Sequence, residues 1–135
     1  MGRITVFYLN LKRDEINIRR ISMSKFVLEH FLKIDADSIR TIKCRVGTSE
    51  SKIFAFVCEA DNVTDKFNFD VSAVGTDSKP AVKGNFLVAN YGDDGELTSL
   101  TEDDIQLLEK NSIKLPYNLR GDWRYKMCNV VRVED

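Results

Sequence analysis

The chain has 135 residues, 43% apolar and 30% charged, with a net charge of −1. That length suits one domain, and the apolar share is enough for a core and too high for a disordered chain. Three cysteines, Cys44, Cys58 and Cys128, with no CxxC spacing, argue against a disulfide framework and against a zinc knuckle.

The first segment, ITVFYLNL (4–11), is apolar on both alternating faces. Ile4, Val6 and Tyr8 fall on one side, Phe7, Leu9 and Leu11 on the other. That pattern predicts a central strand covered on both sides. KRDE follows as a polar turn, and INIRRI (16–21) as a short extended piece. Ser24 then opens a helix as its N-cap, with Met23 and Leu28 at the positions of a hydrophobic staple. Val27, Leu28, Phe31 and Leu32 form an apolar stripe at helical spacing. DADS (35–38) ends it.

A run of strands comes next. In 39–46, Ile42, Cys44 and Val46 face one way and Thr41, Lys43 and Arg45 the other. Segment 52–60 is apolar on both faces and predicts a second central strand. Segment 66–74 alternates, with Phe67, Phe69, Val71 and Ala73 inward. A fifth strand is expected over 81–91, with Gly84 as a bulge. YGDDGE (91–96) is a turn. Thr101 caps the second helix, Glu102, Asp103 and Asp104 occupy its first turn, and Leu100 staples to Ile105. A last strand is expected over 123–133. The order β–α–β–β–β–β–α–β predicts a single α+β domain over 1–135, with a mostly antiparallel sheet of five to six strands and two short helices.

The net charge conceals an uneven layout. Residues 1–50 hold ten Lys/Arg against six Asp/Glu, or +4; residues 51–115 hold six against twelve, or −6; residues 116–135 hold four against three, or +1. Arg3 interrupts the N-terminus, and no apolar run reaches the roughly 20 residues a bilayer requires. The sequence predicts a cytoplasmic protein with reduced thiols and no membrane contact.

RGDWRYKMCNVVRV (120–133) mixes cations with rings. Strand alternation puts Trp123, Tyr125, Met127, Asn129 and Val131 on one side, and Arg124, Lys126, Cys128, Val130 and Arg132 on the other. A base-stacking platform needs rings and cations on one surface. The expected reading is an amphipathic strand with its rings packed inward. The candidate binding residues are then the cations Arg124, Lys126 and Arg132, joined by Lys43 and Arg45.

No segment carries a complete catalytic constellation, and no catalytic residue or cofactor is assigned. His30 is the only histidine. Cys44 and Cys58 lie on apolar faces, while Cys128 shares a face with cations that would lower its pKa. Asp93, Asp94 and Glu96 crowd one loop and are the outside candidates for a hard cation, against the tight turn that Asp-Gly favours. Glu50-Ser51-Lys52, with Asp35 or Asp37 upstream, resembles the acid…ExK arrangement of metal-dependent nucleases. That resemblance implies carboxylates on Mg²⁺ and a lysine steadying the attacking water. Walker, GxGxxG and HExxH motifs are absent.

The expected function is that of a small non-catalytic binding or inhibitor protein acting through a protein surface. Compact domains of this kind recur among accessory and anti-defence proteins of phages and mobile elements. The alternative is a nucleic-acid-binding module or a small Mg²⁺-dependent nuclease. The expected partner is another protein, with nucleic acid second. Homodimerisation by edge pairing is left open, because strand order is not a local property of the sequence.

Overall fold

A computed structural model describes residues 2–10, 15–59, 70–72, 82–83, 85–116 and 123–133. Within these ranges the side chains of residues 10, 15, 70–72, 82, 83, 113–116, 123–126, 128, 131 and 132 lie outside the description. The elements in chain order are β1 (Ile4–Asn10), β2 (Glu15–Ile21), α1 (Lys25–Leu32), a 3-10 turn (Ala36–Ser38), β3 (Ile39–Val46), β4 (Lys52–Glu59), β5 (Asp70–Ser72), β6 (Val82–Lys83), β7 (Phe86–Tyr91), β8 (Leu97–Thr98), α2 (Glu102–Lys110), β9 (Ser112–Pro116), β10 (Trp123–Cys128) and β11 (Val130–Arg132). The domain is α+β.

The main sheet runs β11-β3-β4-β7-β1-β2, and every neighbouring pair along this path is antiparallel; β8 pairs with β7 off the path. A smaller sheet, β6-β5-β10-β9, contains the one parallel pair among the described strands, β5 with β10. The two doubly apolar segments, β1 and β4, each have a neighbour on both sides, as their pattern predicts; β7, for which no central place is expected, lies between them. Phe54 to Cys58 of β4 and Phe86 to Ala89 of β7 are completely buried.

Each face of the main sheet has its own cover. On one face Val6, Tyr8, Val57, Leu87 and Ala89 meet Leu28 and Leu32 of α1. Ser24 caps this helix, its Oγ accepting from the Val27 N–H at 3.4 Å. The Tyr8 hydroxyl donates to the Phe31 carbonyl at 2.6 Å and ties helix to sheet. On the other face Phe7, Leu9, Cys44, Phe54, Phe56, Phe86 and Val88 meet Leu108 of α2 and Met127 of β10. Phe56 and Phe86 stack at 5.3 Å between ring centroids. Each such fully buried ring contributes about 1.5–3 kcal/mol over an exposed one.

INIRRI, expected as a short extended piece, is extended as expected and belongs to β2, which pairs with β1 over seven positions. Several expected elements are corrected. Segment 81–91 is two strands in two different sheets, β6 and β7. SIKLP after the second helix, where no strand is expected, forms β9 against β10. The strand expected over 123–133 breaks at Asn129, whose φ of 57° is left-handed. Asparagine tolerates that conformation better than most residues. The alternation therefore resets: Met127 and Val130 are both buried in the same cluster, although a single strand would point them oppositely. Of segment 66–74, only residues 70–72 fall within the described residues.

Candidate protein-binding edge

The main sheet ends at β2, which is hydrogen-bonded to no described strand other than β1. Its register with β1 is unbroken from Ile4↔Ile21 to Asn10↔Glu15, with no bulge. It contains no proline. Exposed edges of natural sheets are usually blunted by bulges, prolines or charge, and here only charge is present.

Alternation divides the strand. Ile21 is buried beneath α1, and Ile16 packs against the opposite core. Ile18 follows Ile16 on that second face but is 41% exposed. Arg19 and Arg20 are exposed. Beside Ile18 opens a cavity of about 280 Å³ lined by Phe7, Ile16, Asn17, Ile18, Glu109 and Ser112. The Ser112 hydroxyl donates to the Glu109 carbonyl at 2.9 Å and fixes the end of α2 that forms the far wall. The edge thus joins a row of backbone groups, a half-covered isoleucine and a hollow able to take a side chain. Covering the rest of Ile18 would contribute about 1 kcal/mol.

The cations named from the sequence are distributed over both sheets. Lys43 and Arg45 stand on one face of β3, as expected. Lys43 Nζ lies 5.6 Å from the centroid of the Tyr91 ring, and Arg45 donates to the Ser51 hydroxyl at 3.4 Å. Arg124 and Lys126 belong to β10 in the smaller sheet, and Arg132 to β11 in the main one, where it pairs with Cys44. The side chains of these three, and of Trp123, Tyr125 and Cys128, lie outside the described residues.

Asp93, Asp94 and Glu96 are exposed in the turn between β7 and β8. Asp94 accepts the Glu96 N–H at 3.0 Å, and Gly95 adopts a positive φ of 83°. Among the described residues, no three His, Cys, Asp or Glu side chains are grouped to hold a metal ion. Asp35 and Asp37 stand at the start of β3 and Glu50 beyond its end, roughly 25 Å of strand apart. The acid and the ExK segment are therefore not brought together. His30 is exposed on α1, edge-on to Phe31 at 5.5 Å.

Lys52 has another partner. Its ammonium donates to Asp104 Oδ1 at 2.7 Å, while Asp104 Oδ2 accepts from Asn90 Nδ2 at 2.5 Å and from the Thr101 N–H at 2.8 Å. Thr101 Oγ1 in turn accepts the Asp104 N–H at 3.2 Å, completing a capping box. Burial pushes the Asp104 carboxyl up, but the bonds from Lys52, the Thr101 backbone, Asn90 and the Thr101 side chain outweigh it and hold the carboxyl below its ordinary value. This cluster fastens the start of α2 to β4 and β7. The Thr101-x-x-Asp104 spacing was its sequence signal; the part played by Lys52 and Asn90 had none. Among the described residues no helix is long and apolar enough to cross a membrane.

Compared with known proteins, the chain matches no family model, no curated protein and no solved structure.

Proposed function

We propose that the protein is a non-catalytic binding domain, of the accessory or inhibitor type and cytoplasmic, that takes up a partner strand along β2. The observation that carries this reading is the regular outer edge of β2, with half-exposed Ile18 beside a cavity. Strand addition draws affinity from backbone hydrogen bonds and specificity from pockets that accept alternate side chains. The β2 edge offers both. The test is photocrosslinking in the native host, with a photoreactive residue at Ile18 and a control at exposed Asp94. A discrete crosslinked polypeptide from position 18 alone is expected. No product from position 18, or equal products from both, overturns the reading.

A second reading rests on another surface. Lys43, Arg45 and Tyr91 share one face of the main sheet, by the pairing of Lys43 with Ala55 and of Ala55 with Ala89. A ring and two cations on one face suit single-stranded nucleic acid. Gel shifts with an oligonucleotide at low salt decide it. Binding that falls steeply with salt and weakens in Arg45→Ala is expected; no shift removes it.

A further inference from the structure

We infer that the strand received by β2 is β2 of a second copy, paired antiparallel about a two-fold axis at Asn17. The inference rests on the strand-addition reading and names its partner.

Geometry limits the registers sharply. Along a strand, alternate residues direct both N–H and C=O to the same side. In an antiparallel pair, residues that point outward must therefore meet residues that point outward. For two identical strands, pairing is then odd with odd and even with even, so the axis passes through a residue. Four such centres exist near the middle of Glu15–Ile21. Centred on Arg19, the pairing sets Arg19 against itself, and like charges directly opposite are unfavourable. Centred on Ile18, it makes one apolar contact, Ile18 with itself, but sets Ile16 against Arg20 and Glu15 against Ile21, whereas the Asn17 centre makes the Ile16–Ile18 contact twice. Centred on Ile16, it leaves Ile18 without an apolar partner. Centred on Asn17, every pair is complementary: Glu15 opposite Arg19, Ile16 opposite Ile18, and Asn17 opposite itself, where one amide can donate to the other.

The same register uses the cavity. Ile16 and Ile18 lie on the face where the cavity opens, and both line it. Ile18 of the second copy, opposite Ile16, covers that opening, and the symmetry repeats the contact. Two hollows and two half-exposed isoleucines are closed together. The six-stranded path becomes one sheet running through both copies, and neither retains an open β2 edge.

The experiment is sedimentation equilibrium across a concentration series. The wild type is expected to dimerise. Arg19→Glu sets acid against acid twice, by symmetry, and should weaken the dimer about tenfold; Glu15→Arg should do the same. Combining the two substitutions restores opposite charges and should restore the dimer, which a merely structural role would not explain. Hydrogen exchange on the unaltered protein supplies a readout independent of variant folding: the alternate, outward-directed amides between residues 15 and 19 should slow as concentration rises. A monomer at every concentration overturns the second copy as occupant. Crosslinking from Ile18 to a different polypeptide would then still sustain strand addition. A dimer indifferent to Arg19→Glu, or not rescued by the double exchange, overturns the Asn17-centred pairing.

Discussion

Asn129 donates its side-chain amide to Asn111 Oδ1 at 2.9 Å, across the point where the chain leaves one sheet for the other. Asn111 is itself buried, and its own amide donates to the Leu107 carbonyl at 2.8 Å, closing the end of α2. The Asn129 carbonyl accepts the Gly47 N–H at 2.9 Å. One left-handed residue thus binds a helix end, a strand turn and the β10–β11 junction. Gly47 itself has a φ of 106°, and a Cβ there would overlap the Glu50 carbonyl oxygen.

Asn129→Ala should cost about 2–4 kcal/mol, combining the left-handed penalty with a buried acceptor left unpaired. Asn129→Gly keeps the backbone conformation available and should cost about 1–2 kcal/mol. Urea denaturation of both variants measures the difference. Equal losses would show that the hydrogen bond alone matters there.

Asp104→Asn removes the charge that gathers Lys52, Asn90 and Thr101. A loss of about 1–3 kcal/mol at neutral pH is expected, towards the lower end because the Lys52 side chain is 45% exposed. The pH dependence follows from the sign of the shift. The folded carboxyl is held below its ordinary value of 3.8, so its contribution is complete above that value and is lost as pH falls through the lower folded value. Wild-type stability should therefore fall towards the variant's as pH drops below the ordinary value of 3.8. Urea titrations on either side of that value check it.

The first turn of α1 contains no acid and begins with exposed Lys25. Lys25→Glu replaces an unfavourable charge at the positive end of the helix dipole. It should stabilise the protein by about 0.3–1 kcal/mol, and less at high salt. Thermal melts at two ionic strengths measure both effects. Phe26, 83% exposed one position on, should tolerate Phe26→Ser within about 0.5 kcal/mol.

What could be read locally was read. The doubly apolar patterns of 4–11 and 52–60 marked sheet interior, and Ser24 and Thr101 marked both helix starts. Periodicity fails where the chain keeps its extended form but changes sheet. Nothing in the alternation of 81–91 announces the change of sheet between β6 and β7, or in that of 123–133 the break at Asn129; Gly84, expected as a bulge, lies outside the described residues. The same holds for the candidate site. INIRRI shows its apolar residues plainly, yet its place at the end of the main sheet depends on pairings far along the chain. Only for Lys43 and Arg45 did strand parity alone settle the shared face.

One consequence concerns synthesis. β7, at the middle of the main sheet, pairs with β1, which leaves the ribosome about eighty residues earlier. Until Phe86–Tyr91 emerges, the N-terminal hairpin has no inner neighbour, and Val6 to Leu9 have no sheet to enter. Contacts so distant along the chain slow folding and prolong the life of sticky nascent intermediates. Slower translation would lengthen that interval, so soluble yield should depend on chaperone supply more than the stability of the finished protein suggests.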